Sequence, residues 1–261
     1  MDTPILNNKE QLTVVKVGGA VVEDEQQLSQ LLDHFAAIPG HKVLVHGGGR
    51  SATRIAASLG IESQMINGRR ITDADMLRVV TMVYGGLVNK NIVARLQARG
   101  IDAVGLTGAD MDVIRSHRRP VTEVDYGFVG DVDRADGKKL KALILQGITP
   151  VMAPLTHDGM GNMLNTNADT IASEVAKALA PHFDVTLIYS FEMPGVMDAN
   201  GMVIPKITRQ SFQKYVNEGV ICGGMIPKIE NALQAVNVGV GSVIITQATA
   251  IDGKHGTRVV K

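Results

Sequence analysis

Six short apolar runs recur along the chain, at Thr13–Val17, Lys42–His46, Ala103–Leu106, Ile148–Met152, Val185–Tyr189 and Ser242–Thr246. They are rich in β-branched residues and bounded by Gly, Pro or Asp, a pattern that predicts strands of about five residues. Between them, apolar positions recur at helical spacing over Glu25–Ala37, Arg50–Leu59, Asp73–Ala98, Lys138–Gln146, Ala168–Ala180 and Ile226–Val238. That alternation implies an α/β fold with a mainly parallel sheet covered on both faces.

Two stretches break the rhythm. Asp112 to Asp133 is polar and contains Tyr126-Gly127-Phe128, which predicts a hairpin projecting from the sheet. Val196 to Ile204 carries Asn200-Gly201, a strong hairpin turn signal. The helix from Asp73 is long, opens with Thr72 and Asp75 as a capping-box variant, and contains Gly85-Gly86. Paired glycines inside a helix point to a kink, a close packing partner or a subunit interface. Near Ala180-Pro181 the chain is expected to pass from one lobe, residues 1–181, to a second, residues 182–261.

Composition narrows the function. Of 261 residues, 45% are hydrophobic, enough for one large domain or two lobes sharing a sheet. Lys plus Arg and Asp plus Glu are both 26, so the basic footprint of a nucleic-acid or anionic-membrane binder is missing. Aromatic residues are 3% with no Trp, leaving few platforms for stacking bases. The single cysteine, Cys222, excludes an intrachain disulfide framework and a thiolate metal site, and fits a reducing compartment. Residues 1–12 lack the apolar run of a signal peptide, and no window approaches the roughly 18 apolar residues of a membrane span. The expectation is a soluble cytoplasmic protein.

Several residues fit chemistry better than structure. Lys16 interrupts the first strand and is followed by Gly18-Gly19. It is either an edge lysine reaching solvent or a cation at the carboxyl end of a parallel strand, where α/β sheets bind ligands. His46-Gly47-Gly48-Gly49 follows the second strand and opens a helix, so backbone donors stand ready for an anion. The spacing of Gly47, Gly49 and Ala52 also fits a degenerate dinucleotide fingerprint. The acidic residue that pattern expects is replaced by a basic turn around Arg69-Arg70. No Gly-x-x-x-x-Gly-Lys-Ser/Thr loop exists. Arg70 is either a solvated charge or a bidentate grip for a carboxylate. Asn165, Asn167 and Asp169 crowd a helix start with more polar side chains than capping needs. In Gly223-Gly224-Met225-Ile226-Pro227-Lys228, Pro227 suits a first helical turn, whereas Lys228 opposes the helix dipole unless an anion binds there.

These segments together resemble the acetylglutamate kinases of the amino acid kinase family. The likeness is carried by Val15–Gly19, Val45–Gly49, Asn67–Thr72, Val88–Lys90, Asn165–Asp169 and Gly223–Lys228, in the family's order from Val14 to near the C-terminus. It implies an open, mostly parallel eight-stranded sheet sandwiched between helices. The N-terminal lobe would bind an acylamino acid and the C-terminal lobe ATP. It also implies ATP-dependent phosphorylation of the γ-carboxylate of N-acetyl-L-glutamate, the second step of arginine biosynthesis, with Mg²⁺ held mainly by the nucleotide phosphates. By resemblance, Lys16 and Lys228 stabilise the migrating phosphoryl group, Asp169 holds both lysines, and Asn167 supports Asp169. Gly48, Gly49, Arg70 and Asn165 bind the acylglutamate, Arg70 taking its α-carboxylate. Gly18, Gly19, Glu192, Gly195, Ile221, Cys222, Gly223 and Gly224 line the ATP side.

Two departures from that family stand out. Where it reads Thr/Ser-Asp-Val-x-Gly, this chain reads Phe191-Glu192-Met193-Pro194-Gly195. The basic run Arg115-Ser116-His117-Arg118-Arg119 is either a solvated loop or a receptor for a second carboxylate, which would make the acyl group succinyl. A catalytically inactive module binding ATP or an amino acid is the alternative from another class. The family's arginine-inhibited hexamers carry an extra N-terminal helix. Only about a dozen residues precede the first strand here, so the expectation is an arginine-insensitive homodimer.

Overall fold

The computed structural model describes residues 9–66, 68–223 and 225–261. Its central sheet has eight strands: β1 (Gln11–Val17), β2 (His41–His46), β3 (Ala103–Leu106), β4 (Thr149–Met152), β5 (Asp184–Phe191), β6 (Lys206–Ile207), β7 (Ser242–Gln247) and β8 (Thr257–Val259). They lie side by side in the order β6-β8-β7-β5-β1-β2-β4-β3. All neighbours pair in parallel except β7 with β8. The six strands expected from the pattern are all present. β6 and β8 escaped notice because strands of two or three residues leave no periodicity to read.

The helices are α1 (Gly19–Glu23), α2 (Glu25–Ala37), α3 (Gly49–Ser58), α4 (74–97), α5 (Gly137–Ile144), α6 (Ala168–Leu179), α7 (Arg209–Asn217) and α8 (Met225–Asn237). Alternate residues of β1 feed two cores. Leu12 and Val14 pack with α5, α6, α7 and α8, whereas Val15 and Val17 pack with α2, α3 and α4. A helix layer on each face explains the near-continuous apolar sequence of β1, β2 and β5. Lys16 has the parity of Leu12 and Val14 and therefore lies on the face that carries α6 and α8.

The expected hairpin is real. Ile114–Arg118 pairs antiparallel with Gly130–Ala135, and Leu155–His157 and Met163–Asn165 complete a separate four-stranded sheet. The turn at Asn200-Gly201 closes on a single antiparallel bridge, Met197 to Val203, rather than a longer ladder. The start of α4 differs from expectation. Asp73, not Thr72, is the cap, its carboxylate accepting the Met76 N–H at 2.8 Å. Thr72 is drawn away because its hydroxyl donates to Arg70 O and accepts from Asn165 Nδ2.

Within α4, Thr81–Val88 is wound as a π-helix around Gly85-Gly86. A Cβ on Gly85 would touch Leu155 and Thr107, whereas one on Gly86 would face open space. At the next turn, Asn89 is buried and its amide donates to Val151 O at 2.9 Å and to His46 Nε2 at 3.0 Å. A Cβ on Gly105 of β3 would stand 1.8 Å from Asn89 Oδ1. Gly105→Ala is therefore expected to cost about 2–3 kcal/mol, as overpacking of a rigid core does. A fall in the urea midpoint at constant slope checks it.

Candidate functional site

β1 lies between β2 and β5, and the chain leaving β1 runs towards β2 while the chain leaving β5 runs towards β6 and β7, opening the crevice where α/β sheets bind ligands. Lys16, only 8% exposed, stands there, and its Nζ meets Asp169 Oδ1 at 2.7 Å. The contact falls outside hydrogen-bond geometry, so it is a charge pair. Asp169 occupies the first turn of α6, where the helix dipole favours a carboxylate. Asn167 caps that helix, its Oδ1 accepting the N–H groups of Asp169 at 2.8 Å and Thr170 at 3.2 Å. Behind it, the Tyr189 hydroxyl donates to the Asp169 backbone carbonyl at 3.2 Å. Burial, and then the Asp169 charge, push the Tyr189 phenol up, so it remains a neutral donor.

Lys228, in the first turn of α8, reaches the same place from the opposite side of the sequence. Its Nζ lies 4.0 Å from the centroid of the Phe191 ring, and Lys16 Nζ lies 5.2 Å from that centroid. The structure sets Asp169 against Lys16, the nearer of the two lysines by ionic contact. Among the described residues Lys228 forms no ion pair.

The Gly47–Gly49 loop lies alongside. A Cβ on Gly47 would be 3.5 Å from Gly19 N, so the two glycine turns are neighbours. A Cβ on Gly48 would come within 2.9 Å of the Tyr84 ring, which the wide turn of α4 presses against the loop. α3 starts at Gly49 with no side-chain cap, leaving its first N–H groups to face a ligand. Under the loop, His46 is fully buried, donating from Nδ1 to Gly47 O at 2.7 Å and accepting from Asn89 at Nε2. Burial lowers its pKa to about 4.

Two clefts meet at this loop, both lined by Gly47, Gly48 and Gly49. The smaller, of about 180 Å³, is bordered by Arg70, Tyr84, Val129, Pro154, Asn165 and Asn167. Arg70 is buried and tied to Gly49 O at 2.8 Å, to Thr53 Oγ1 at 2.9 Å and to Ser63 Oγ. Burial pushes the Tyr84 hydroxyl up, and the Arg70 guanidinium partly opposes this. The larger cleft, of about 520 Å³, is bordered by Lys16, Gly18, Gly19, Asp169, Phe191, Glu192, Gly195, Met225 and Lys228. Glu192 is exposed and sits 3.7 Å from Arg50 of α3 across the mouth.

Not every expected residue reaches the clefts. Ile221 is packed into the core beneath α8, and Cys222 and Gly223 are exposed outside the cleft lining. From that segment the cleft takes Met225 and Lys228 instead. Asn67 and Gly224 lie outside the described residues. The geometry does not favour the basic hairpin as a receptor for a second carboxylate, because its charges are paired internally. Arg115 pairs with Asp112 at 2.9 Å, Arg118 with Asp125 at 3.5 Å, Arg119 with Asp131 at 2.5 Å and His117 with Asp133 at 2.6 Å.

Sequence reasoning missed Tyr84, Thr72 and the platform role of Phe191. An aromatic inside a helical apolar face and a Thr beside a capping Asp carry no local signal. Phe191 was visible only as a departure from a family pattern.

The family model that matches residues 11–247 is that of the amino acid kinase family. Among curated relatives, acetylglutamate kinase of Bacteroides fragilis is 68% identical over 97% of this chain and 98% of its own length. That of Cytophaga hutchinsonii is 52% identical over 93% of each. Among solved structures, smu.665 from Streptococcus mutans superposes with a TM-score of 0.77 at 32% identity, covering 95% of this chain and 98% of that one. Giardia lamblia carbamate kinase bound to AMP-PNP, at 16% identity and TM-score 0.64 over 98% and 99%, shares the fold.

The His46 shift has a sign that can be tested. Its folded pKa lies below the usual 6.5, so the unfolded chain takes up the proton first. Its stabilising contribution is complete above about pH 6.5, is lost as pH falls towards 4, and amounts to about 3 kcal/mol. Urea midpoints at pH 7 and pH 5 should diverge in the natural protein and lie closer together in His46→Gln.

Proposed function

We infer the activity from one premise: this chain belongs to the amino acid kinase family. The enzyme transfers the γ-phosphoryl group of ATP to the γ-carboxylate of N-acetyl-L-glutamate, a reaction of arginine biosynthesis. The observation that carries this reading is the pair of lysines over one ring, placed where two clefts share a glycine loop.

In the mechanism we propose, the acylglutamate occupies the smaller cleft. Arg70 and Asn165 hold its α-carboxylate end, and the N–H groups of Gly48 and Gly49 face the γ-carboxylate. The nucleotide fills the larger cleft along Gly18, Gly19, Glu192, Gly195 and Met225. A γ-carboxylate oxygen forms a bond to the γ-phosphorus while the bond to the β–γ bridging oxygen breaks, its electron pair leaving with ADP. The nucleophile is already ionised at neutral pH, so no general base is needed. What remains is positioning and charge neutralisation. Lys16 and Lys228 supply two cations to the migrating group. Asp169 fixes Lys16, and Asn167 fixes the turn bearing Asp169. The products are ADP and an acyl phosphate.

Mg²⁺ enters, in this reading, on the ATP phosphates. Among the described residues no three His, Cys, Asp or Glu side chains gather into a metal site, and Asp169 is committed to Lys16. When bound, the ion screens the phosphate charge. The lobes take residues 1–181 for the acylamino acid and 182–261 for ATP, with β1 and β5 joining them in one sheet. The exposed Met82 and Leu87 flanking Gly86 support a homodimer built on the wide turn of α4. No helix among the described residues is long and apolar enough to cross a membrane. The neutral charge balance and single cysteine support a cytoplasmic setting without nucleic-acid partners.

A succinyl substrate is not favoured, since the basic hairpin holds no unpaired arginine for a second carboxylate. A catalytically inactive module is set aside, because the phosphoryl-transfer cations and Asp169 are assembled.

Trapping the acyl phosphate as a hydroxamate should give product with N-acetylglutamate, ATP and Mg²⁺, and more slowly if at all with the succinyl compound. No product with either would refute the reading. Lys228→Met should lower kcat by about 10²–10³-fold, the cost of removing one transition-state donor, with the melting temperature unchanged. Lys16→Met should be equally inactive but also destabilised, because it strands the Asp169 carboxylate. Sedimentation should find a dimer, which Leu87→Glu dissociates.

A further inference from the structure

The two cations of the cleft are held differently. Lys16 has a carboxylate at 2.7 Å, whereas Lys228, among the described residues, has no ionic partner. What Lys228 has instead is the Phe191 ring, 4.0 Å from its Nζ. Phe191 is the last residue of β5, at the carboxyl edge of the sheet. Its ring stacks on Tyr189 with centroids 6.1 Å apart and planes 16° apart. Tyr189 in turn hydrogen-bonds the backbone of Asp169. One aromatic ladder thus underlies Lys16, Asp169 and Lys228 together.

The geometry points to Phe191 as a positioning residue for phosphoryl transfer: its ring holds the Lys228 ammonium, and secondarily that of Lys16, over the site of the migrating phosphoryl group. This rests on the kinase reading above and deepens it.

The physical reason lies in the charge of the substrates. A second carboxylate beside Lys228 would bind it more firmly, but it would also repel the triphosphate and the attacking γ-carboxylate. An aromatic face attracts a cation through its quadrupole while carrying no net charge. It restrains the ammonium and leaves that charge available to the phosphoryl oxygens. Phe191 also packs against the core beneath the sheet, so a role in packing alone is the competing explanation.

Progressive ring fluorination separates the two, because it weakens the quadrupole while nearly preserving shape. The full-length enzyme would carry mono-, di- and trifluorophenylalanine at position 191, with kcat, both KM values and melting temperature measured for each. The expected result is a stepwise fall in kcat, reaching about tenfold for the trifluoro ring. KM for N-acetylglutamate and the melting temperature should stay level. Phe191→Leu should fall at least as far, and Phe191→Tyr should recover most of the activity. A flat kcat across the series in an active enzyme overturns the proposal and leaves the kinase reading standing. A fall in kcat that only tracks melting temperature overturns it equally. Failure of the natural enzyme to form any hydroxamate refutes the kinase reading, and the positioning role with it.

Discussion

A lysine within the central strand of a covered sheet needs a counter-charge, and the Lys16–Asp169 contact provides it. Burying an unpaired ammonium costs several kcal/mol, so β1 can run through the core only if α6 begins beside its end. That constraint orders much else. Asn167 must cap α6 where it does, Tyr189 must brace the first turn, and β5 must lie next to β1 to bring Tyr189 there. The pair is a structural requirement of the strand and, in the same atoms, half of the proposed catalytic charge.

Around that pair the molecule accumulates positive potential with little net charge. The glycine turns after β1 and β2 offer backbone N–H groups, α3 and α8 begin at the cleft, and Lys228 adds a second ammonium. Such an assembly would be unstable if every cation were left to repel its neighbours in a dry site. Asp169 offsets one, and the Phe191 ring tempers the other without adding an anion that would compete with phosphate. The exposed Arg50–Glu192 contact across the mouth is weak by comparison, as solvent-screened pairs are.

The glycine loop owes its shape to the groups packed around it. His46, Asn89 and the Val151 carbonyl form a buried relay beneath it, possible only with a neutral imidazole and with no side chain at Gly105. Tyr84 presses on Gly48 from above because α4 widens by one residue per turn at that point. The hairpin sheet shows the opposite economy. Its arginines look available along the chain but are each matched by an aspartate nearby, Asp112 in the turn before the sheet, Asp125 in the hairpin loop and Asp131 on the facing strand.

The sequence by itself determined the strands and helices long enough to show a period and the parallel sheet, and it marked the segments around Lys16, Gly47–Gly49 and Lys228 as candidates for holding an anion. Those features are local: they follow from residue spacing, glycine and the sign of charge beside a helix start. Only the tertiary structure decided which polar residues meet. It gave Asp169 to Lys16 alone, turned Thr72 from a cap into a partner of Asn165, sank Ile221 into the core, and neutralised the basic hairpin. It also placed one ring beneath two lysines more than two hundred residues apart in the chain. Contacts between side chains distant in sequence depend on strand order and helix packing, and neither leaves a trace in any single stretch of chain.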